Sequence, residues 1–127
     1  MVSAPRRVVP LLGERRATLF CHAISVQNDC LICTMFFRRI LIDDGEDPDA
    51  LPLDELDELI VDFGRRLATD PHAVEGELRA RLDARFDAAE IVLLTAFGAI
   101  MVATNVVNDA LGVPLDTYLE PYRGAAA

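Results

Sequence analysis

Cys30 and Cys33 stand three residues apart in Cys30-Leu31-Ile32-Cys33, at a point where the apolar pattern predicts that a helix begins. Two thiols at this spacing share a helix face, and when the first sits in the opening turn their sulfurs can meet disulfide geometry. The pair therefore has the chemistry to cycle between dithiol and disulfide and to trade electrons with a substrate. Free amide hydrogens and the helix dipole at such a position favour a thiolate, lowering a cysteine pKa from about 8.5 by roughly one or more units. The alternative is that these cysteines are small buried hydrophobes, as free cysteines often are.

Glu14, Thr18, His22 and Ser25 recur at spacings of four, four and three, which puts them on one face of a preceding helix. If that face looks toward Cys33, His22 is the candidate base, with Glu14 or the Thr18 hydroxyl as its partner. Otherwise His22 is a partly buried packing residue. A zinc site from Cys21, His22, Cys30 and Cys33 has enough ligands on paper, yet adjacent helical positions diverge by about a hundred degrees, so Cys21 and His22 do not suit one metal. Neither a metal nor a cofactor is expected. Arg38 and Arg39 offer positive charge to a thiolate or an anionic substrate, or else form a solvated face. His72, beside Pro71, reads as an exposed loop residue.

The elements that must position these groups are helical almost throughout. Turn residues divide the chain into five or six helices, and no run alternates like a strand. A first helix over about residues 14–26 ends at Gln27-Asn28-Asp29, where Asn28 or Asp29 can cap a second helix over about residues 30–42. The acidic stretch 43–50, with Gly45 and Pro48, reads as a solvated connection. A calcium-loop register from Asp44 would place Asp49 where glycine is needed. Leu56, Leu59, Ile60, Phe63 and Leu67 mark an amphipathic helix that Asp70-Pro71 ends. After a short helix near residues 73–82, Asp87 and Glu90 resemble a capping box opening a long apolar helix that Gly112 and Pro114 stop. Residues 115–122 can pack on the bundle, and residues 1–13 and 123–127 read as frayed.

A chain of 127 residues holds one core, so a single domain is expected over residues 1–127. Its net charge of −9 opposes nucleic acid and anionic membranes as partners. Every one of its 12 basic residues is arginine, which excludes Schiff-base and phosphate-loop lysine chemistry. Residues 91–108 carry no charge, but the length is borderline for a membrane span and polar residues dilute it. A buried or oligomer-interface helix is the expectation, with no membrane. Residues 1–12 lack the apolar core of a secretory signal, so the protein is expected in the cytoplasm with its thiols reduced. Hydrophobic residues at 52% point to a homo-oligomer that hides apolar surface.

Residues 23–33, Ala-Ile-Ser-Val-Gln-Asn-Asp-Cys-Leu-Ile-Cys, resemble the S-x-x-N-x-C-x-x-C signature of the carboxymuconolactone decarboxylase and alkylhydroperoxidase D-like family. Residues 59–71, ending Leu-Ala-Thr-Asp-Pro, and residues 86–116, with Asn-Asp-Ala-Leu-Gly-Val-Pro-Leu-Asp at their end, resemble that family's central and final helices. The resemblance implies an all-α bundle of the alkylhydroperoxidase D-like type, assembled as a trimer or hexamer. It implies a thiol-dependent oxidoreductase that reduces a hydroperoxide, or a partner disulfide, and is recharged by a thiol reductant protein. Carried over by position, Cys33 attacks the peroxide and Cys30 resolves it. The family's relay histidine and glutamate fall on Phe37 and Thr18, neither of which is a base. A non-redox enzyme of the same fold, acting on a small lactone or organic acid, and a binding subunit without activity are the competing expectations.

Overall fold

The computed structural model describes residues 4–123, with side chains from Val8 onward. Among them the chain forms six α-helices and no strand: α1 Ala4–Leu12, α2 Glu14–Gln27, α3 Leu31–Asp43, α4 Glu55–Thr69, α5 Glu77–Asp83 and α6 Ala88–Ala110. Two 3-10 segments, Pro71–Val74 and Thr117–Tyr122, complete it. The expected all-α bundle is what this chain builds.

α1 corrects the expectation that residues 1–13 are frayed. Val8 and Leu12, four apart on one face, are buried as α1 packs on α2 and α6, and that burial outweighs the short length and Pro10. Residues 1–3 and 124–127 lie outside the described residues, so the expectation stands unaddressed there.

α2 is the central helix, touching α1, α3, α4 and α6 and burying Ala17 through Ser25 with the single exception of His22, which is half-buried. Its Phe20 is wholly buried, with ring centroids 5.8 Å from Phe63 of α4 and 6.2 Å from Phe97 of α6. The close approach of α4 depends on Gly64. A Cβ there would sit 3.1 Å from the Phe20 carbonyl oxygen and 3.2 Å from Ile24, so only glycine lets the two backbones meet without displacement.

Two helices start with reciprocal caps. Asp87 and Glu90 form the capping box expected for α6, and Asp54 with Asp57 forms a second one for α4. Asp57 also takes Arg15 Nη1 and Arg16 Nε at 2.8 Å each, tying α4 to the first turn of α2. Burial alone would push the Asp57 carboxyl up. The hydrogen bonds from Arg15, the Asp54 amide and Arg16 outweigh it and hold the group below the usual carboxylate range.

α6 is apolar on all sides in sequence, but it buries only a narrow stripe: Ile91, Leu94, Gly98, Met101 and Asn105. It is long and apolar enough to cross a membrane, with mean hydropathy 1.9, and 28% of that stretch is buried in the bundle. The expected docking of residues 115–122 is present, since Leu119 is wholly buried and Thr117–Tyr122 packs on α3.

Candidate functional site

The turn between α2 and α3 is built by backbone hydrogen bonds. The amides of Asp29 and Cys30 donate to the carbonyls of Val26 and Ser25, with Asp29 in the left-handed conformation at φ 53. This is a Schellman turn with aspartate where glycine is usual. It delivers Cys30 to the N-cap of α3 and Cys33 to its first turn, as the spacing predicts. The expected cap is absent: neither Asn28 nor Asp29 closes α3. Asn28 instead accepts from Asn105 Nδ2 at 2.9 Å, and α3 starts without a side-chain capping hydrogen bond.

Cys21, Cys30 and Cys33 are free thiols, all buried in the main apolar cluster. Cys30 and Cys33 are close, though not at disulfide distance. Burial pushes the Cys30 thiol up to about 12. The Cys33 backbone amide offsets this in part, while the Cys33 thiol adds to it. Burial likewise pushes Cys21 up to about 12, with a further contribution from Cys33. The helix-start thiolate expected at Cys30 is therefore not what the fold provides, because desolvation of a wholly buried sulfur outweighs the amide and dipole that favour charge.

The pair is held from a distant part of the chain. Asn108 Nδ2 of α6 donates to Cys33 Sγ at 3.2 Å. One turn earlier, buried Asn105 lies 3.4 Å from Ser25 Oγ and reaches Asn28. Ser25 Oγ in turn donates to the Cys21 carbonyl at 2.8 Å. Ser25 and Asn28, both part of the signature, thus join a polar knot that fastens the cysteine turn to α6. Asn105 and Asn108 were not anticipated from sequence. Their signal was two amide side chains three apart within a charge-free apolar run, where an unpaired polar group is costly.

A cleft of about 550 Å³ opens on the other side of the turn, between α2, α3, α4 and the acidic loop. His22 and Cys30 both line it, and Cys33 does not. The role of His22 as a base was conditional on its helix face looking toward Cys33. His22 shares a cavity with Cys30 instead, because α3 turns Cys33 inward toward α6. Burial lowers the His22 pKa, Arg38 and Arg65 lower it further, and Asp49 acts against them, so the imidazole is neutral at pH 7. Arg38 is buried and fully engaged: Nη1 and Nη2 hold Asp49 at 2.9 and 2.8 Å, and Nε donates to the Tyr122 carbonyl at 2.6 Å.

Glu14 is not brought to the site. It is the exposed first residue of α2, and its carbonyl accepts the Thr18 hydroxyl at 3.0 Å. Thr18 is buried and spends its hydroxyl on that local bond. Phe37, half-buried, packs on the main cluster edge-on to Phe36. Arg39 pairs with Asp43 at 3.6 Å and lies over Phe36 and Tyr118, away from the thiols. Among the described residues no three His, Cys, Asp or Glu side chains converge as a metal site.

No protein-family model, no curated protein and no solved structure matches the chain.

Proposed function

We propose that the chain is a thiol oxidoreductase in which Cys30 and Cys33 cycle between dithiol and disulfide. One observation carries the proposal: two neighbouring free thiols sit at an uncapped helix start, one lining a cleft with His22 and the other accepting a hydrogen bond from Asn108. The resemblance of residues 23–33 to the alkylhydroperoxidase D-like signature points the same way.

With a hydroperoxide, one sulfur attacks the distal oxygen and the O–O bond breaks. The alcohol leaves with a proton and a sulfenic acid remains. The second thiol attacks that sulfur, the S–S bond forms and water leaves. Two thiols and one hydroperoxide thus give a disulfide, an alcohol and water, and an external dithiol restores the pair by exchange. The cleft favours Cys30 as the sulfur that meets substrate, which reverses the roles implied by the resemblance. Cys30 has no exposed surface, so the first turn of α3 must loosen for attack. A thiol at about 12 that shares its cleft with an imidazole below its ordinary pKa keeps its proton in the resting state, so turnover is slow.

Peptide mapping by mass spectrometry after mild hydrogen peroxide tests the proposal. A Cys30–Cys33 disulfide that dithiothreitol reverses is expected, and its absence sinks the redox reading. A coupled peroxidase assay should show a low rate that falls further in Cys30→Ser and His22→Ala. A disulfide whose rate ignores His22 removes only the role of His22 as base. The second reading is a binding protein with inert thiols. The displacement of both Cys21 and Cys30 to about 12 favours it, since a protonated buried thiol is a poor nucleophile.

A further inference from the structure

His22 and Arg65 face the cleft from α2 and α4, and neither the imidazole nor the guanidinium has a hydrogen-bond or ion-pair partner among the described residues. Arg38, the other cation of the cleft, is consumed by Asp49 and Tyr122. Because Arg38 and Asp49 neutralise one another, Arg65 is the cation of the cleft left without a counter-charge beside His22 among the described residues. The floor is of a different character. Buried Leu19 and Val61 of the second apolar cluster form it, with half-buried Leu51 and Leu53 packed on them. At the Cys30 end, exposed Asp29 brings a negative charge.

We infer that the cleft binds a small organic monocarboxylate, its carboxylate between Arg65 and His22 and its apolar body against Leu19, Leu51, Leu53 and Val61. An arginine fork with a neighbouring imidazole suits a carboxylate. A volume of about 550 Å³ accommodates a body of medium length. Asp29 repels a second carboxylate at the far end, which separates monocarboxylates from dicarboxylates. Resting on the redox reading, the same class describes the substrate: an organic acid whose peroxy group lies toward Cys30.

Octanoate is the probe, titrated into the reduced protein and followed by calorimetry and by the His22 ring resonances. Binding at ~1 mM or tighter is expected. Octanol should bind about tenfold more weakly, as should octanoate to Arg65→Gln, the loss of one charge-assisted contact. With octanoate bound, His22, faced by Arg38, Arg65 and Asp49, should titrate at higher pH than in the free protein. Equal binding of octanol and octanoate, or an Arg65→Gln protein that binds octanoate like the wild type, overturns the inference. Arg65 is exposed, and circular dichroism checks that its variant is folded. If octanoate binds as expected while peroxide yields no disulfide, the redox reading fails and the carboxylate site stands. A disulfide with octanoate indifferent to Arg65 gives the reverse.

Discussion

Asn108 distinguishes Cys33 from the other two cysteines, because its amide is aimed at the sulfur at 3.2 Å. Negative charge that gathers on Cys33 as it attacks or leaves is met by a donor already in place. Asn108→Leu should therefore slow alkylation of Cys33 by iodoacetamide, measured in a Cys30→Ser background, by roughly tenfold or more, the worth of one hydrogen bond to a charged group. Asn108→Gln should recover part of the rate. A Leu variant that reacts like the parent would leave the contact structural. The two halves of this site differed in legibility. Cys30, Cys33 and His22 lie within a dozen residues, so local spacing sufficed to place Cys30 at the helix start with Cys33 one turn on, though not to show that His22 shares its cleft with Cys30 and not with Cys33. The Asn108 contact spans 75 residues, and spacing carries no information across that distance.

At the scale of elements, the stripe of α4 and the cap of α6 were readable because they are local, whereas the Asp54–Asp57 cap and how each helix is covered were not. α6 illustrates this. Its buried stripe leaves Val92, Ala96, Ala99, Ala103 and Val106 exposed at alternating spacings of four and three, a continuous uncharged seam. Burial of that seam against the same seam of a second copy brings no carboxylates together, despite the net charge of −9. A homo-oligomer is the expected outcome in sedimentation at micromolar concentration. Ala99→Glu should return it to a folded monomer, since the position is exposed within one chain. Wild-type protein sedimenting as a monomer would remove this role from α6. α1 was missed for a related reason: nine residues with a proline carry little helical signal alone, and its helix depends on α2 and α6.

Across the whole molecule, buried titratable groups set a window of stability. Asp57 has a lowered pKa, so its contribution is present above the unfolded carboxylate value near 3.9 and is lost as pH falls through the folded value. His22 is also lowered. Below about 6.5 the unfolded chain takes the proton first, and stability declines until the folded imidazole is protonated too. Cys21 and Cys30 are raised to about 12, so above about 8.5 the unfolded thiols ionise first and stability is lost toward that value. Urea midpoints should therefore plateau between about pH 6.5 and 8.5 and fall on both sides. A midpoint unchanged from pH 8 to 10 would contradict the burial of the two thiols. The acidic balance was plain from composition. This pH profile was not, because it follows from which thiols the bundle dries.

The knot between α6 and the cysteine turn also fixes an order of events during synthesis. Ser25, Asn28 and Cys33 leave the ribosome 75 to 80 residues before the asparagines that fasten them. At ordinary elongation rates that interval is roughly 4–15 s. Throughout it the nascent chain carries three thiols that nothing yet holds apart, and Cys21 can compete for either partner. An oxidising environment in those seconds exposes all three sulfurs to pairing before the bundle buries them, whereas a reducing one delivers them to it as the free thiols of the folded chain.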